Sequence, residues 1–205
     1  EKQKTRSRAA SEQETGDWVF VHDDHGVEFI GYDFMETYSH IIKHRTITDK
    51  KGDRFQLVLD KTPFYAESGG QVGDTGWLIS DAEKIRVIDT KKENDLIVHF
   101  VEKLPSSPQK RFSAEVDREK RQLTMNNHTA THLLQSALKA VLGDHIQQRG
   151  SLVTENLLRF DFSHFGKMTD EEIAKVEDLV NAKVRENISL VEQRNVPIEE
   201  AKKMG

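Results

Sequence analysis

From Trp18 to Asp117 the chain is a series of short apolar, β-favouring runs separated by turn clusters, a spacing that restricts the region to a small sheet-built fold. The runs are Trp18 to Val21, Val27 to Tyr32, Ile41 to Ile47, Phe55 to Leu59, Trp77 to Ile79, Ile85 to Ile88, Leu96 to Val101 and Phe112 to Val116. Asp23-Asp24-His25-Gly26, Lys50-Lys51-Gly52-Asp53 and Lys91 to Asp95 supply turns, because Gly, Asn and Asp accept reversals that β-branched residues resist. Strands this close together predict a small barrel or sandwich.

After Pro105 and Pro108 the hydrophobic period changes. Ala130, Leu133, Leu134, Ala137, Leu138 and Val141 cluster on one side of a helix, with Asn126 or Asn127 as its expected N-cap and Gly143 as its stop. Ile146 to Val153 and Leu157 to Phe162 read as a hairpin around Thr154-Glu155-Asn156, with Leu158, Phe160 and Phe162 on one face and Arg159 and Asp161 on the other. Thr169-Asp170-Glu171-Glu172 is a capping box that opens a helix striped by Ile173, Val176, Val180 and Val184. A strand is expected near Ser189 to Arg194, and Pro197 is placed to start a short last helix. The second half is therefore α+β, with helices on one face of a small antiparallel sheet.

Composition narrows the functional classes. With 36% hydrophobic residues and a mean hydropathy of −0.67 the chain is polar yet able to form a core. No apolar run approaches the roughly 18 residues that span a bilayer, and Glu1-Lys2-Gln3-Lys4 does not begin a signal peptide, so no membrane partner and a cytoplasmic location are expected. The absence of cysteine removes disulfides, thiolate nucleophiles and cysteine zinc ligands from these 205 residues. A net charge of −5 gives no global footprint for nucleic acid. Lys110, Arg111, Arg118, Lys120 and Arg121 form a local basic group suited to phosphates or, more simply, a solvated face balanced by Glu115, Asp117 and Glu119. Residues 1–17 are polar and read as a linker from a preceding helical domain; with no initiating Met, the chain reads as an excised fragment.

The chemistry-bearing pattern is His128-Thr129-Ala130-Thr131-His132. The two histidines share one helix direction with Gln135 and Lys139, opposite the apolar cluster, so they are not packing residues. Side chains four apart on a helix have Cβ atoms roughly 5–6 Å apart, close enough for two imidazoles to ligate one ion. The pair reads either as half a zinc site or as two solvated residues. Thr129 stands where a metalloprotease helix has its Glu, which disfavours a peptidase.

Several stretches together resemble a known family. Thr62-Pro63-Phe64-Tyr65-Ala66-Glu67-Ser68-Gly69-Gly70-Gln71-Val72-Gly73-Asp74-Thr75-Gly76 is followed by the His128 to His132 motif, by Gln148-Arg149-Gly150-Ser151-Leu152-Val153 and by Leu158-Arg159-Phe160-Asp161-Phe162-Ser163-His164. In this order, from about Trp18 to Gly205, they resemble the editing region of bacterial alanyl-tRNA synthetases. The resemblance implies an α+β fold of the threonyl/alanyl-tRNA synthetase editing type: a linker over 1–17, a small antiparallel β-barrel over 18–117, and a C-terminally incomplete editing core over 118–205.

It also implies a function, hydrolysis of Ser-tRNA(Ala) and Gly-tRNA(Ala) at a zinc site that meets the tRNA acceptor end. His128 and His132 match two metal ligands of the family, and Gln71 matches a pocket-lining glutamine that positions water or substrate. The family's other two ligands, a downstream Cys-x-x-x-His, have no counterpart here, so the isolated chain is expected to hold zinc weakly and to be inactive. ATP- and Mg-dependent charging with alanine would reside in domains outside this stretch. Two alternatives stand beside this reading, a free-standing alanyl-type deacylase and a non-catalytic RNA-binding module. Asp161 and His164 receive no role, as solvated residues of the hairpin and its exit.

Overall fold

The computed structural model describes residues 14–49, 52–194 and 196–204, so the expected linker lies mostly outside the described residues, as do Lys50 and Lys51 of one expected turn. The strands are β1 (Glu14–Thr15), β2 (Val19–Phe20), β3 (Glu28–Phe29), β4 (Glu36–Asp49), β5 (Gly52–Leu59), β6 (Lys61–Thr62), β7 (Gly76–Ile79), β8 (Lys84–Glu93), β9 (Leu96–Val101), β10 (Arg111–Val116), β11 (Gln148–Val153) and β12 (Leu158–Phe162). The helices are α1 (Arg118–Leu142), α2 (Asp170–Arg185) and α3 (Ile198–Met204). The fold class is α+β, and none of these helices is long and apolar enough to cross a membrane.

Six strands close into an antiparallel barrel in the order β4-β10-β7-β8-β9-β5, with β5 pairing back onto β4. Closure removes the exposed sheet edges that would otherwise pair with other chains. Alternation supplies the core: Phe112, Ala114 and Val116 of β10, Leu78 of β7, Ile85 and Val87 of β8, and Ile41, Leu57 and Leu59 of β4 and β5 all point inward, with Phe64. Consecutive strand residues point to opposite faces, so Ile41 and Ile42, like Leu57 and Val58, are both buried but in different clusters, and a register shift lies between Ile41 and Lys43. Ile42 packs with Val58 and Val98 beneath Trp18, Val27 and Phe100.

The largest buried polar ring of the barrel is paired. Fully buried His99 lies between the Leu57 carbonyl, 3.3 Å from Nδ1, and the Thr62 hydroxyl, 2.8 Å from Nε2, while Thr62 Oγ1 also accepts the Phe64 N–H. The donors and acceptors match a neutral ring protonated on Nδ1, and burial lowers its pKa from 6.5 to about 4.

The chain forms two compact units, one of the described residues up to Thr131 with Gln148–Phe162, the other of His132–Gln147 with the described residues from Ser163 on. In the first, β11 and β12 form the expected hairpin, beginning at Gln148 rather than Ile146. Helix α1 starts eight residues before the expected Asn126 cap. Asp117 is its cap: the Lys120 N–H donates to its carboxylate at 3.2 Å and the Arg121 N–H to its carbonyl at 3.0 Å. The first turns bury Arg121 and Thr124, polar residues that leave no trace in a hydrophobic period.

In the second unit Gly143, at φ 109°, ends α1 as expected. The capping box is present, with Thr169 Oγ1 accepting from the Glu172 N–H and the Glu172 carboxylate accepting from the Thr169 N–H at 2.8 Å. Of the expected α2 stripe only Val176 is buried, and Ile173 and Val184 are exposed. The strand expected over Ser189 to Arg194 is absent: the segment pairs with no described strand, and Leu190 and Val191 are exposed. Leu190 and Val191 are adjacent and three polar residues follow them, so no apolar face alternates here, and a strand also needs a partner edge. Pro197 caps α3 through its carbonyl, which accepts from Glu200 and Ala201 at 2.9 Å, and so stands one position before the helix proper.

Candidate functional site

The glycine-rich stretch is a loop on the barrel, leaving at β6 and returning at β7. Phe64 anchors its start in the core. Its neck is a reciprocal pair: the Tyr65 N–H donates to Asp74 Oδ2 at 2.7 Å and the Asp74 N–H to the Tyr65 carbonyl at 2.9 Å. Its tip is the two-residue turn Ser68-Gly69-Gly70-Gln71, in which Ser68 and Gln71 exchange both backbone hydrogen bonds, at 3.2 and 3.0 Å. Gly69 at φ 60° and Gly70 at φ 84° give the two successive positive angles of a type I′ turn. The tip is tied to the hairpin, the Val153 N–H donating to the Gly70 carbonyl at 2.8 Å and the Val72 N–H to the Val153 carbonyl at 3.1 Å.

The two glycines are not equivalent. A Cβ on Gly69 would meet nothing, whereas one on Gly70 would lie 2.8 Å from the Ser151 carbonyl oxygen. Replacement by Ala is therefore expected to cost about 1 kcal/mol at Gly69, the left-handed backbone term, and about 2 kcal/mol at Gly70, where β11 must also move. Denaturant unfolding of the two variants checks the order; equal losses would mean that Ser151 yields freely.

Arg121 of α1 locks this loop to the helix. Its Nε lies 2.9 Å from both oxygens of Asp74, its Nη2 donates to Asp74 Oδ2 and, at 3.0 Å, to the Pro63 carbonyl, and its Nη1 donates to the Gly31 carbonyl at 2.8 Å. Both charged side chains are about 95% buried. This corrects the reading of Arg121 as part of a phosphate-binding or solvated basic face. Of its neighbours, Arg118 pairs with Glu36 at 2.6 Å, Lys120 with Glu155 at 3.5 Å, and Arg111 stacks over Tyr38.

Two turns beyond Arg121 on the same face stands His128, half-buried rather than turned away from the protein body as the apolar period suggested. Its Nδ1 is 2.7 Å from Oε1 of Gln71, itself only 5% exposed. The structure thus brings together two predicted site residues 57 positions apart. They line a cavity of about 360 Å³ with Tyr32, Met35, Tyr65 and Met125. Burial raises the pKa of the Tyr65 phenol, keeping it a neutral hydrogen-bonding group. His132 follows one turn later on α1 and is exposed. Among the described residues no cluster of three or more His, Asp or Glu side chains is arranged to hold a metal, so His128 and His132 offer at most half of a tetrahedral set.

Sequence reasoning missed Arg121 and Asp74 as the supports of this site, and Tyr32, Met35 and Met125 as its walls. Asp74 lay inside the recognised glycine-rich stretch, and the capping position of Asp117 was the one local signal that α1 begins early enough to include Arg121. Asp161 is exposed and pairs with Arg159 at 3.1 Å, and His164 stacks with His145 in the second unit.

The profile of the tRNA synthetases class II (A) matches residues 1–120. Over 203 residues the chain is 58% identical to an alanine–tRNA ligase of Cytophaga hutchinsonii, with 99% of the chain and 23% of the relative covered. It is 58% identical over 205 residues to that of Bacteroides thetaiotaomicron and 47% over 215 residues to that of Flavobacterium psychrophilum, covering 100% of the chain and 23% and 24% of those proteins. The chain thus spans about a quarter of the length of these relatives. A profile match over more than half the chain, together with similarity along all of it, places its membership: the chain belongs to the class II (A) tRNA synthetases.

Proposed function

We propose that this stretch is the editing region of an alanine–tRNA ligase, a barrel over 18–117 followed by an editing core over 118–205, which removes serine or glycine from wrongly charged tRNA(Ala). The observation that carries the reading is the His128–Gln71 hydrogen bond, which joins the glycine-rich loop and the HxxxH helix at one cavity. Ester hydrolysis needs a water aimed at the carbonyl carbon and a wall that holds the ester still. The Gln71 and His128 side chains and the phenol of Tyr65 supply polar groups at that cavity, and Tyr32, Met35 and Met125 supply the apolar wall. His128 and His132, one helical turn apart on α1, would hold two of the four coordination positions of a zinc ion, the other two falling to a Cys-x-x-x-His motif that these 205 residues do not contain. When bound, zinc lowers the pKa of a coordinated water towards about 7 or polarises a carbonyl. ATP- and Mg-dependent charging with alanine belongs to other parts of the longer enzyme, in the cytoplasm.

Zinc content and Ser-tRNA(Ala) hydrolysis, measured on the same preparations, test this. The 205-residue chain alone is expected to hold little zinc and hydrolyse little, while an alanine–tRNA ligase continuing through the Cys-x-x-x-His should bind about one zinc per chain and hydrolyse the ester. His128→Ala with His132→Ala in that longer protein should abolish both. Robust hydrolysis by the double variant would overturn the zinc-centred reading.

A further inference from the structure

We infer that Gln71 is a positioning residue that acts through His128, fixing the imidazole as its Nδ1–H tautomer so that Nε2 carries the ring's lone pair. The metal-binding consequence rests on the function proposed above; the tautomer does not. An amide oxygen can only accept a hydrogen bond, and a neutral imidazole has a single N–H, so the 2.7 Å contact from Nδ1 to Oε1 requires the proton on Nδ1. Ligand histidines are commonly oriented in this way by a partner on the second ring nitrogen.

The mounting of both residues shows that the contact is built in. The acceptor cannot drift, because the Gln71 backbone is closed into the type I′ turn and its side chain is 95% buried. The donor is held from two sides. Arg121 fixes α1 two turns earlier, and Asn127, next to His128, donates its Nδ2 to the Thr154 carbonyl at 2.8 Å. Thr154 directly follows Val153, whose two backbone hydrogen bonds, to Gly70 and Val72, flank Gln71. The end of β11 thus binds the acceptor's loop through one residue and the donor's helix through the next, setting their separation.

The tautomer is read in the 205-residue chain without metal, from two-bond proton–nitrogen correlations of the His128 ring. The wild-type ring is expected as Nδ1–H. Gln71→Leu should move it to Nε2–H, and Gln71→Glu, which keeps an acceptor, should retain Nδ1–H. A wild-type Nε2–H ring, or a Gln71→Leu ring unchanged in a chain whose barrel amide spectrum is intact, would overturn the inference. In the longer ligase, zinc titration should show affinity reduced about 10–100-fold by Gln71→Leu and largely restored in Gln71→Glu. Failure of the wild-type longer protein to bind zinc would count against the proposed function alone, since the tautomer measurement is made without metal.

Discussion

Replacing Arg121 by Met is expected to remove about 3–5 kcal/mol of stability, because it leaves the Asp74 carboxylate buried without its counter-charge. The size follows from what Arg121 satisfies: one carboxylate and the carbonyls of Gly31 and Pro63, all shielded from water. Asp74→Asn should be milder, since the Asn side-chain oxygen can still accept from the Tyr65 N–H. The double variant Asp74→Asn/Arg121→Met should lose clearly less than the sum of the two single losses, the signature of a directly coupled pair. Urea unfolding with the slope checked for constancy measures all three. An Arg121→Met loss below about 1 kcal/mol, the range of exposed ion pairs, would contradict the buried geometry.

Acid should weaken the fold through His99. The folded ring has a pKa of about 4, against 6.5 for an unperturbed histidine. Above pH 6.5 the ring is neutral in both states and the full stability is present. As pH falls from 6.5 to 4 the unfolded chain takes up a proton that the folded chain refuses, so stability drops. Over this window the loss is on the order of 3 kcal/mol, at 1.36 kcal/mol per pH unit, and it levels off below pH 4. Burial also lowers the pKa of His44, which acts in the same direction. His99→Gln keeps polar atoms in the site and has no proton to gain, so its stability should vary less between pH 6.5 and 4. An unchanged slope in that variant would remove His99 as the source.

The strands of the barrel were readable because each needs only a local pattern, alternating apolar residues between turn residues, and β9 and β10 lie within a residue of the expected runs. Helix α2 was readable for the same reason, its cap being four consecutive residues. What escaped was long-range or polar. The start of α1 is set by Asp117 and by a buried Arg121–Asp74 pair 47 positions apart, and no hydrophobic period records an ion pair. The Ser189 to Arg194 segment shows the converse error, a short β-favouring pair, Leu190 and Val191, without a partner strand. For the candidate site, the spacing of His128 and His132 was legible from helix geometry, and Gln71 entered through the family resemblance. Their mutual arrangement was not legible, since the contact joins a turn conformation to a helix face through β11.

The hairpin β11–β12 clusters with the barrel unit although the chain passes through part of the second unit before reaching it. On a ribosome this order has a temporal meaning. The barrel strands emerge first and can pair as they appear, but the glycine turn receives its fastening only when Val153 has left the exit tunnel, and Asn127 waits for Thr154. Until then Gln71 and His128 are both synthesised yet lack the strand end that sets their distance. The loop and the helix are therefore fastened to each other late, and a nascent chain with a finished barrel still has an unfastened pocket.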